Sequence, residues 1–348
     1  MSKFLLCNYV KPIFIKTNEI SCNCSTFIRN NKRYLISRNV TYFLSGATGT
    51  LLNNCYHTKN FLYDFTDINK PVFIKELNGL TESNNYRYFG LEDIRTIDWN
   101  GATYISCTKV LGNTDTATMC FGQLNDKFEL VNLQEHKTAC RREKNWVPVE
   151  TKPFTYVYSF EPLKFFNLHD KCFVNGEKTF KMKVSGSTPV IKYNNYLLTL
   201  VHTKNSTCDY KHRFAVLTND FKLVKLSEPF QFFGNKTEFC CDLKYVDNTI
   251  QLIAAVNDGL SYYFELSDEL LLQILEGQLT DNTQHTNIYN TFLKDSIEIQ
   301  AAEFAPMQAL FATDNELIAQ AIILNHDKSR LDIGQRARLQ KQLLKKIS

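Results

Sequence analysis

Short apolar runs broken by polar turns fill the first three quarters of the chain. Arg33–Ser37, Ala102–Cys107, Phe154–Ser159, Tyr196–Val201 and Ile250–Val256 are aromatic and β-branched stretches of strand length. Turn signals precede most of them: Asn30-Asn31, Asn100-Gly101, Lys152-Pro153, Asn194-Asn195 and Asp247-Asn248. Each run also follows a polar cluster that opens a short strand of its own. The clusters begin near Ser25, Glu92, Asn145, Ser187 and Glu238, at successive gaps of 67, 53, 42 and 51 residues. Five meanders of roughly 40 to 60 residues, each opening on polar residues, follow the pattern of propeller blades and predict an all-β, five-bladed β-propeller. The first strand of each blade lines the central tunnel of such a fold, so the polar openings converge there. A β-sandwich with irregular loops is the competing architecture.

The pattern changes at Ser267. Ser267-Asp268-Glu269 ahead of Leu270–Leu275 reads as an N-cap with an acidic first turn before an apolar helix. Ala301–Ile323 and Arg330–Ile347 also have helical periodicity. The expected division is therefore a propeller over 1–266 and a helical extension over 267–348, packed on the propeller or projecting from it. The last predicted helix sets Arg336, Arg338, Lys341, Lys345 and Lys346 against Leu339, Leu343, Leu344 and Ile347. Such a helix can meet a membrane surface or a second copy of the chain, but a helix packed on its own domain with a solvated basic face is the favoured reading.

Composition narrows the classes. In 348 residues, 44% are hydrophobic, with 26 Phe and 17 Tyr, enough for a sizeable core. A net charge of +4 gives no case for nucleic-acid binding, which needs a concentrated basic face. No leader and no apolar run of membrane-spanning length is apparent, which predicts a cytoplasmic protein without a transmembrane segment. The 11 cysteines include no CxxC pair; they read as free thiols in a reducing compartment, and no metal or other cofactor is expected.

The richest segment for chemistry is Phe89-Gly90-Leu91-Glu92-Asp93-Ile94-Arg95, two carboxylates and a guanidinium within four positions. On an extended strand Asp93 and Arg95 share a face and Glu92 points the other way. The third unit opens on Arg142-Glu143-Lys144-Asn145-Trp146. There an indole could stack on a sugar, an amide could bind hydroxyls and an ammonium could meet phosphate. Ser187, His202, the Tyr210-Lys211-His212-Arg213 cluster, Glu238, Asp258 and Arg38-Asn39 recur at equivalent points of the other units. Each has a structural explanation on its own, but together they predict one convergent site.

The segments GLEDIR, EKNWVP, YVYSFEP, SGSTPVI, LVH, YKHRFAVL, SEPFQF and TEFCCDL, in that order and spacing from about Ser25 to Asp258, resemble glycoside hydrolase family 130, the β-mannoside phosphorylases. They also resemble the mannosyltransferase/phosphorylases of glycosyltransferase family 108. The resemblance implies a five-bladed propeller with its active site in the central cavity. It implies that Asp93, in the place of the aspartate of a Glu-Asp-Pro-Arg motif, is the sole general acid, flanked by Glu92 and Arg95. Phosphate and sugar contacts would come from Arg38, Asn39, Lys144, Asn145, His202, Tyr210 and His212, and a last-blade sugar contact from Asp258. The chain departs from the family pattern at Ile94, where proline is usual, and at Asn23-Cys24-Ser25, where Asn-Pro-Ser is usual.

One acid among several cations suits phosphorolysis. Hydrolysis ordinarily takes two carboxylates, whereas phosphate supplies its own nucleophilic oxygen and needs cations instead. The expected function is thus an inverting glycoside phosphorylase or glycosyltransferase acting on β-linked mannosides, with a glycan and phosphate or an activated sugar as its partners. Two alternatives stand beside it. One is a hydrolase on the same fold with Glu143 or Glu238 positioning water; the other is a non-catalytic glycan-binding propeller with Trp146 and tyrosines stacking on sugars.

Overall fold

The computed structural model describes residues 3–279, except 14, 16–19, 41, 46–47, 52–55, 81–85, 177–179, 181, 206–208, 235–236, 257 and 259. The helices expected at Ala301–Ile323 and Arg330–Ile347 lie outside the described residues.

Strands succeed one another as antiparallel meanders. After β1 (Tyr9–Pro12), the first unit contains β2 (Ile20–Arg29) and β3 (Lys32–Val40), a small hairpin of β4 (Tyr42–Ser45) and β5 (Thr48–Leu51), then β6 (Tyr56–Asp64) and β7 (Val72–Glu76). The second is β8 (Tyr88–Trp99), β9 (Ala102–Gly112), β10 (Ala117–Leu124) and β11 (Leu130–His136). The third is β12 (Val147–Pro148), β13 (Thr155–Phe160), β14 (Leu163–Asn167) and β15 (Cys172–Asn175). The fourth has β16 (Ser185–Gly186) and β17 (Ile191–Tyr193), both paired to β18 (Tyr196–Lys204), then β19 (Tyr210–Leu217) and β20 (Leu223–Leu226). The fifth is β21 (Glu238–Val246), β22 (Thr249–Val256) and β23 (Leu260–Ser267). Its fourth strand is β1, which pairs antiparallel with β23 from Tyr9↔Glu265 to Pro12↔Tyr262. The first two units join into one sheet through a parallel pairing of β6 with β8.

Five repeats are thus present, and three of the expected hairpin turns take the backbone that their residues favour. Asn30 and Asn31 have φ of 52° and 58°, Asn100 and Gly101 53° and 77°, and Asp247 and Asn248 50° and 58°. Positive φ at both central residues matches the right-handed twist of the flanking strands.

The hydrophobic core is divided among the spaces between units, and the spaces form a cycle. Phe27, Ile36 and Leu62 meet Leu91, Ile105 and Cys120 between units one and two. Trp99 and Phe121 meet Trp146, Tyr156 and Phe166 between two and three. Val157 and Phe160 meet Val201 and Ala215 between three and four. Leu200 and Phe214 meet Leu252 and Phe264 between four and five, and Leu35 and Tyr63 meet Ile253 and Tyr263 between one and five. Successive residues of one strand therefore feed different layers: Ile36 packs toward unit two and Leu35 toward unit five. With both faces covered, inner strands read as continuous apolar runs instead of alternating with polar residues. Outer strands β7, β11, β15 and β20 are largely exposed or half-buried.

The helix at Ser267 forms as expected. α1 (Asp268–Leu275) is capped by Ser267, whose hydroxyl accepts from the Leu270 N–H at 3.3 Å. Leu271, Ile274 and Leu275 are buried in the layer between units four and five, so this helix extends the core of the last sheets. No helix among the described residues is long and apolar enough to cross a membrane.

Candidate active site

The inner strands carry backbone irregularities at corresponding places. In β2 the register slips between Cys22 and Ser25, with Asn23 at φ 44°. In β8 it slips between Glu92 and Arg95, with Asp93 at φ 54°. In β21 it slips between Cys240 and Asp242, and Asn145, two residues before β12, has φ 65°. Among non-glycine residues asparagine and aspartate tolerate this left-handed backbone best, and a β-bulge re-aims the side chain it carries. Gly90 completes the arrangement in β8. A Cβ there would stand 2.3 Å from the Thr58 carbonyl oxygen, and its φ of 130° is open to glycine. Its absence lets β8 lie against β6.

The bulge corrects the expectation that Glu92 and Asp93 face opposite ways. Both meet Arg38: Nη2 donates to Glu92 Oε1 at 2.9 Å and Nη1 to Asp93 Oδ1 at 3.0 Å. Arg38 Nε donates to Thr58 Oγ1 at 3.3 Å, which holds the fork in place. From the other side Asn23 Nδ2 donates to Asp93 Oδ1 at 2.7 Å and to Asp258 Oδ1 at 3.4 Å. Three carboxylates, the Asn23 amide and the Arg38 fork thus meet where the first, second and fifth units converge.

Arg95 lies beneath this cluster and is fully buried. It donates to the Asp93 carbonyl at 3.0 Å, to the Ser187 carbonyl at 2.6 Å and to Asn145 Oδ1 at 3.3 Å, and its guanidinium sits 5.6 Å from the Phe239 ring centroid. One side chain therefore ties four units at the centre. Asn145 is turned toward it, whereas Lys144 is exposed and has no ion-pair partner among the described residues.

These surroundings separate the carboxylates. Burial acts to raise Asp93, but Arg38, Arg95, Lys144 and the Asn23 hydrogen bond outweigh it and hold the carboxyl below its ordinary value. Burial wins at Glu92, against Arg38 and with help from Asp93, and the carboxyl is raised. Asp258 is raised too, chiefly by burial, with Arg38 opposing and Asp93 adding. The Lys144 side chain reaches solvent, but desolvation by the protein around it still depresses its ammonium. Neighbouring carboxyls driven in opposite directions can hold and give up protons at different stages of a reaction.

His202 stands at the edge of the same centre. Its Nδ1 is 2.7 Å from Ser187 Oγ, and its ring lies 5.3 Å from that of Tyr210 and 5.5 Å from that of Phe239. Burial, with His212, Arg95, Lys144 and Lys204 nearby, pushes its pKa well below the usual histidine value, so it is neutral at pH 7.

Other expected site residues lie elsewhere. Asn39 is buried on the face opposite Arg38 and accepts from Ser37 Oγ at 3.0 Å. His212 pairs across the strands with His202 but is fully buried against Phe232 and Phe230, away from any opening. Glu238 is also fully buried and accepts from the backbone N–H groups of Phe232 at 2.6 Å and Phe233 at 2.9 Å, anchoring that loop. Glu143 accepts from Trp146 Nε1 at 3.0 Å and from the Thr138 hydroxyl. Both glutamates are thus taken up by protein donors. Trp146 is buried in the layer between units two and three and offers no ring face to a sugar. Ser187 joins the centre as the recurrence predicts, and Asn23 and Thr58 complete it without having been singled out as site residues. An asparagine at the polar opening of the first unit was the available signal for Asn23. Among the described residues no group of three or more His, Cys, Asp or Glu is arranged to hold a metal ion.

Burial of His212 has a pH consequence. Its pKa is lowered to about 3 by burial, whereas in the unfolded chain it takes a proton near pH 6.5. The unfolded state then binds more protons between these limits, so this residue makes stability fall as pH drops from about 6.5 toward 3. Replacing it with phenylalanine is expected to flatten that part of the stability curve, read as urea midpoints between pH 4 and 7; an unchanged slope would show that His212 is not buried neutral.

No protein-family model and no curated protein sequence matches the chain. Solved structures do. A β-1,2-mannobiose phosphorylase from Listeria innocua, in complex with β-1,2-mannobiose, is similar with a TM-score of 0.54 at 14% identity, over 77% of this chain and 94% of that one. A mannose phosphorylase from Leishmania mexicana, in complex with phosphate ion, is similar with a TM-score of 0.51 at 11% identity, over 81% and 92%. A third, described with the family 130 mannoside phosphorylases and the glycoside hydrolases among them that target β-1,2 mannosidic linkages in Candida mannan, gives 0.52 at 12%, over 81% and 96%. The likeness establishes a shared fold with these mannoside-acting enzymes along nearly their whole length.

Proposed function

We propose that the chain is a five-bladed β-propeller and an inverting, glycosyl-transferring enzyme acting on β-linked mannosides, with Asp93 as its general acid. The cyclic order of the core layers supports the propeller. The convergence of Arg38, Asn23 and Arg95 on Asp93, with the Lys144 ammonium adding its charge, carries the chemical reading.

In this reading phosphate binds beside Lys144 and His202, and a mannosyl unit occupies the pore between Asp93 and Asp258. Protonated Asp93 gives its proton to the glycosidic oxygen, directly or through a substrate hydroxyl, as the bond from that oxygen to the anomeric carbon breaks. A phosphate oxygen forms the new bond from the opposite face, and the products are mannosyl phosphate with inverted configuration and the shortened glycan. In reverse, Asp93 carboxylate takes the proton of the acceptor hydroxyl while phosphate departs. In the free protein the cations keep Asp93 ionised. A bound dianion offsets their field, and a sugar ring excludes water from the carboxyl, so both partners raise its affinity for a proton as they bind. Arg38 and Lys144 also stabilise charge on the phosphate.

The test is to supply β-mannosides with and without inorganic phosphate and to follow both products. Mannosyl phosphate that forms only when phosphate is present, and glycan extension from mannosyl phosphate, are expected. Free mannose released at the same rate without phosphate would overturn phosphorolysis in favour of hydrolysis.

A further inference from the structure

An aromatic surface stands beside the pore, where the first and second units join. There β6 and β8 pair in parallel, Tyr56 with Tyr88 and His57 with Phe89, and the Tyr56 N–H donates to the Arg87 carbonyl at 2.6 Å. The junction lies at the same end of the sheets as the carboxylates. Thr58, two residues along β6, pairs with Val40 on β3 and accepts from Arg38, while Glu92 and Asp93 follow Tyr88 by four and five residues on β8. On an extended strand those separations are about 13 and 17 Å.

The rings of Tyr56 and Tyr88 stack with centroids 5.2 Å apart and planes 3° from parallel. The Arg87 guanidinium lies 5.8 Å from the Tyr88 centroid, and Tyr86 is exposed. Across the ladder from Tyr88 is Gly112, where a Cβ would meet nothing within 4 Å, so there is open space beside the aromatic pair. Tyr56 and Tyr88 are half-buried. Flat aromatic faces bordered by phenol hydroxyls and a guanidinium suit a pyranose, which has one C–H face and a rim of hydroxyls.

We propose that Tyr56, Tyr86, Arg87 and Tyr88 form an outer subsite for a sugar ring of the glycan chain, beyond the ring held in the pore and on its leaving-group side. The substrate class is then an oligosaccharide, and the enzyme acts at the end of a chain whose next residues lie on this surface. The inference rests on the reading of the central site as one that transfers mannosyl units.

The experiment is calorimetric binding of linear β-linked oligomers of mannose, glucose and galactose, two to five units long, to the full chain and its variants. Wild-type affinity is expected to rise with length in the mannose series. Tyr88→Ala should weaken the four- and five-unit ligands about tenfold, the scale of one aromatic contact, and leave the two-unit ligand within about twofold, while Tyr88→Phe stays near wild type. Tyr56→Ala and Arg87→Ala give the same readout if Tyr88→Ala does not fold. Folded variants that bind every length as the wild type does, or lose every length equally, would overturn the subsite, as would a wild type that binds none of the oligomers. The same tyrosine-dependent length effect in the glucose or galactose series alone would uphold the subsite and overturn the mannoside reading, and binding is read without turnover.

Discussion

Asp93→Asn is expected to lower turnover by about 10³-fold or more, within the range that positioned acid–base groups contribute, while the protein melts at a temperature close to that of the wild type. The amide keeps the size of the carboxyl and can still accept from Asn23 and Arg38, so the convergence of side chains survives without a proton to transfer. Two measurements check this: single-turnover formation of mannosyl phosphate and a thermal melt on the same sample. A variant that keeps more than a tenth of wild-type turnover would remove Asp93 from the mechanism. A variant that unfolds would assign it a structural part, and Asp93→Ser would then separate the two roles.

Arg38→Met should affect both folding and activity. The side chains of Glu92 and Asp93 are only 20% and 15% exposed, and Arg38 bonds to both. Removing one partner of a largely buried ionic cluster leaves uncompensated charge and costs about 3 kcal/mol, or roughly 5–10 °C in melting temperature for a chain of this size. The pH dependence identifies the cause. In the wild type the depressed Asp93 pKa contributes stability that is present above the unfolded value, near 3.9, and lost as pH falls through the folded value. In the variant, burial and mutual repulsion raise both carboxyls above their unfolded values, a destabilisation present at neutral pH and relieved on acidification. The gap in melting temperature between wild type and Arg38→Met should therefore narrow from pH 7 toward pH 4. A constant gap would point to lost packing instead of stranded charge.

Local chemistry made much of the fold legible. Asn30-Asn31, Asn100-Gly101 and Asp247-Asn248 announce their hairpins because each dipeptide tolerates positive φ, and Ser267 announces its helix because its hydroxyl can cap it. Arg38, Glu92, Asp93, Arg95 and Asn145 were legible as a group because polar residues recur at the opening of each repeat. The errors share a cause. Alternation along a strand is a two-residue rule, and a bulge breaks it at the residues that matter most: Asp93 takes a left-handed backbone, and Glu92 joins it on Arg38. Trp146, Glu143 and Glu238 misled because a polar or aromatic residue at a strand opening looks the same whether it faces the pore or a neighbouring sheet. Only the packing of one unit on the next decides, and in this chain that packing seats Trp146 between two sheets.

The pairing of β1 with β23 also governs how the molecule comes to exist. Tyr9 pairs with Glu265, a partner about 250 residues downstream, so during synthesis β1 waits until that intervening stretch has been translated. Non-local pairings of this kind slow folding, and β1 stays unpaired throughout that interval, its edge open to a stray strand. A bulky fusion placed directly ahead of Tyr9 would crowd that final clasp.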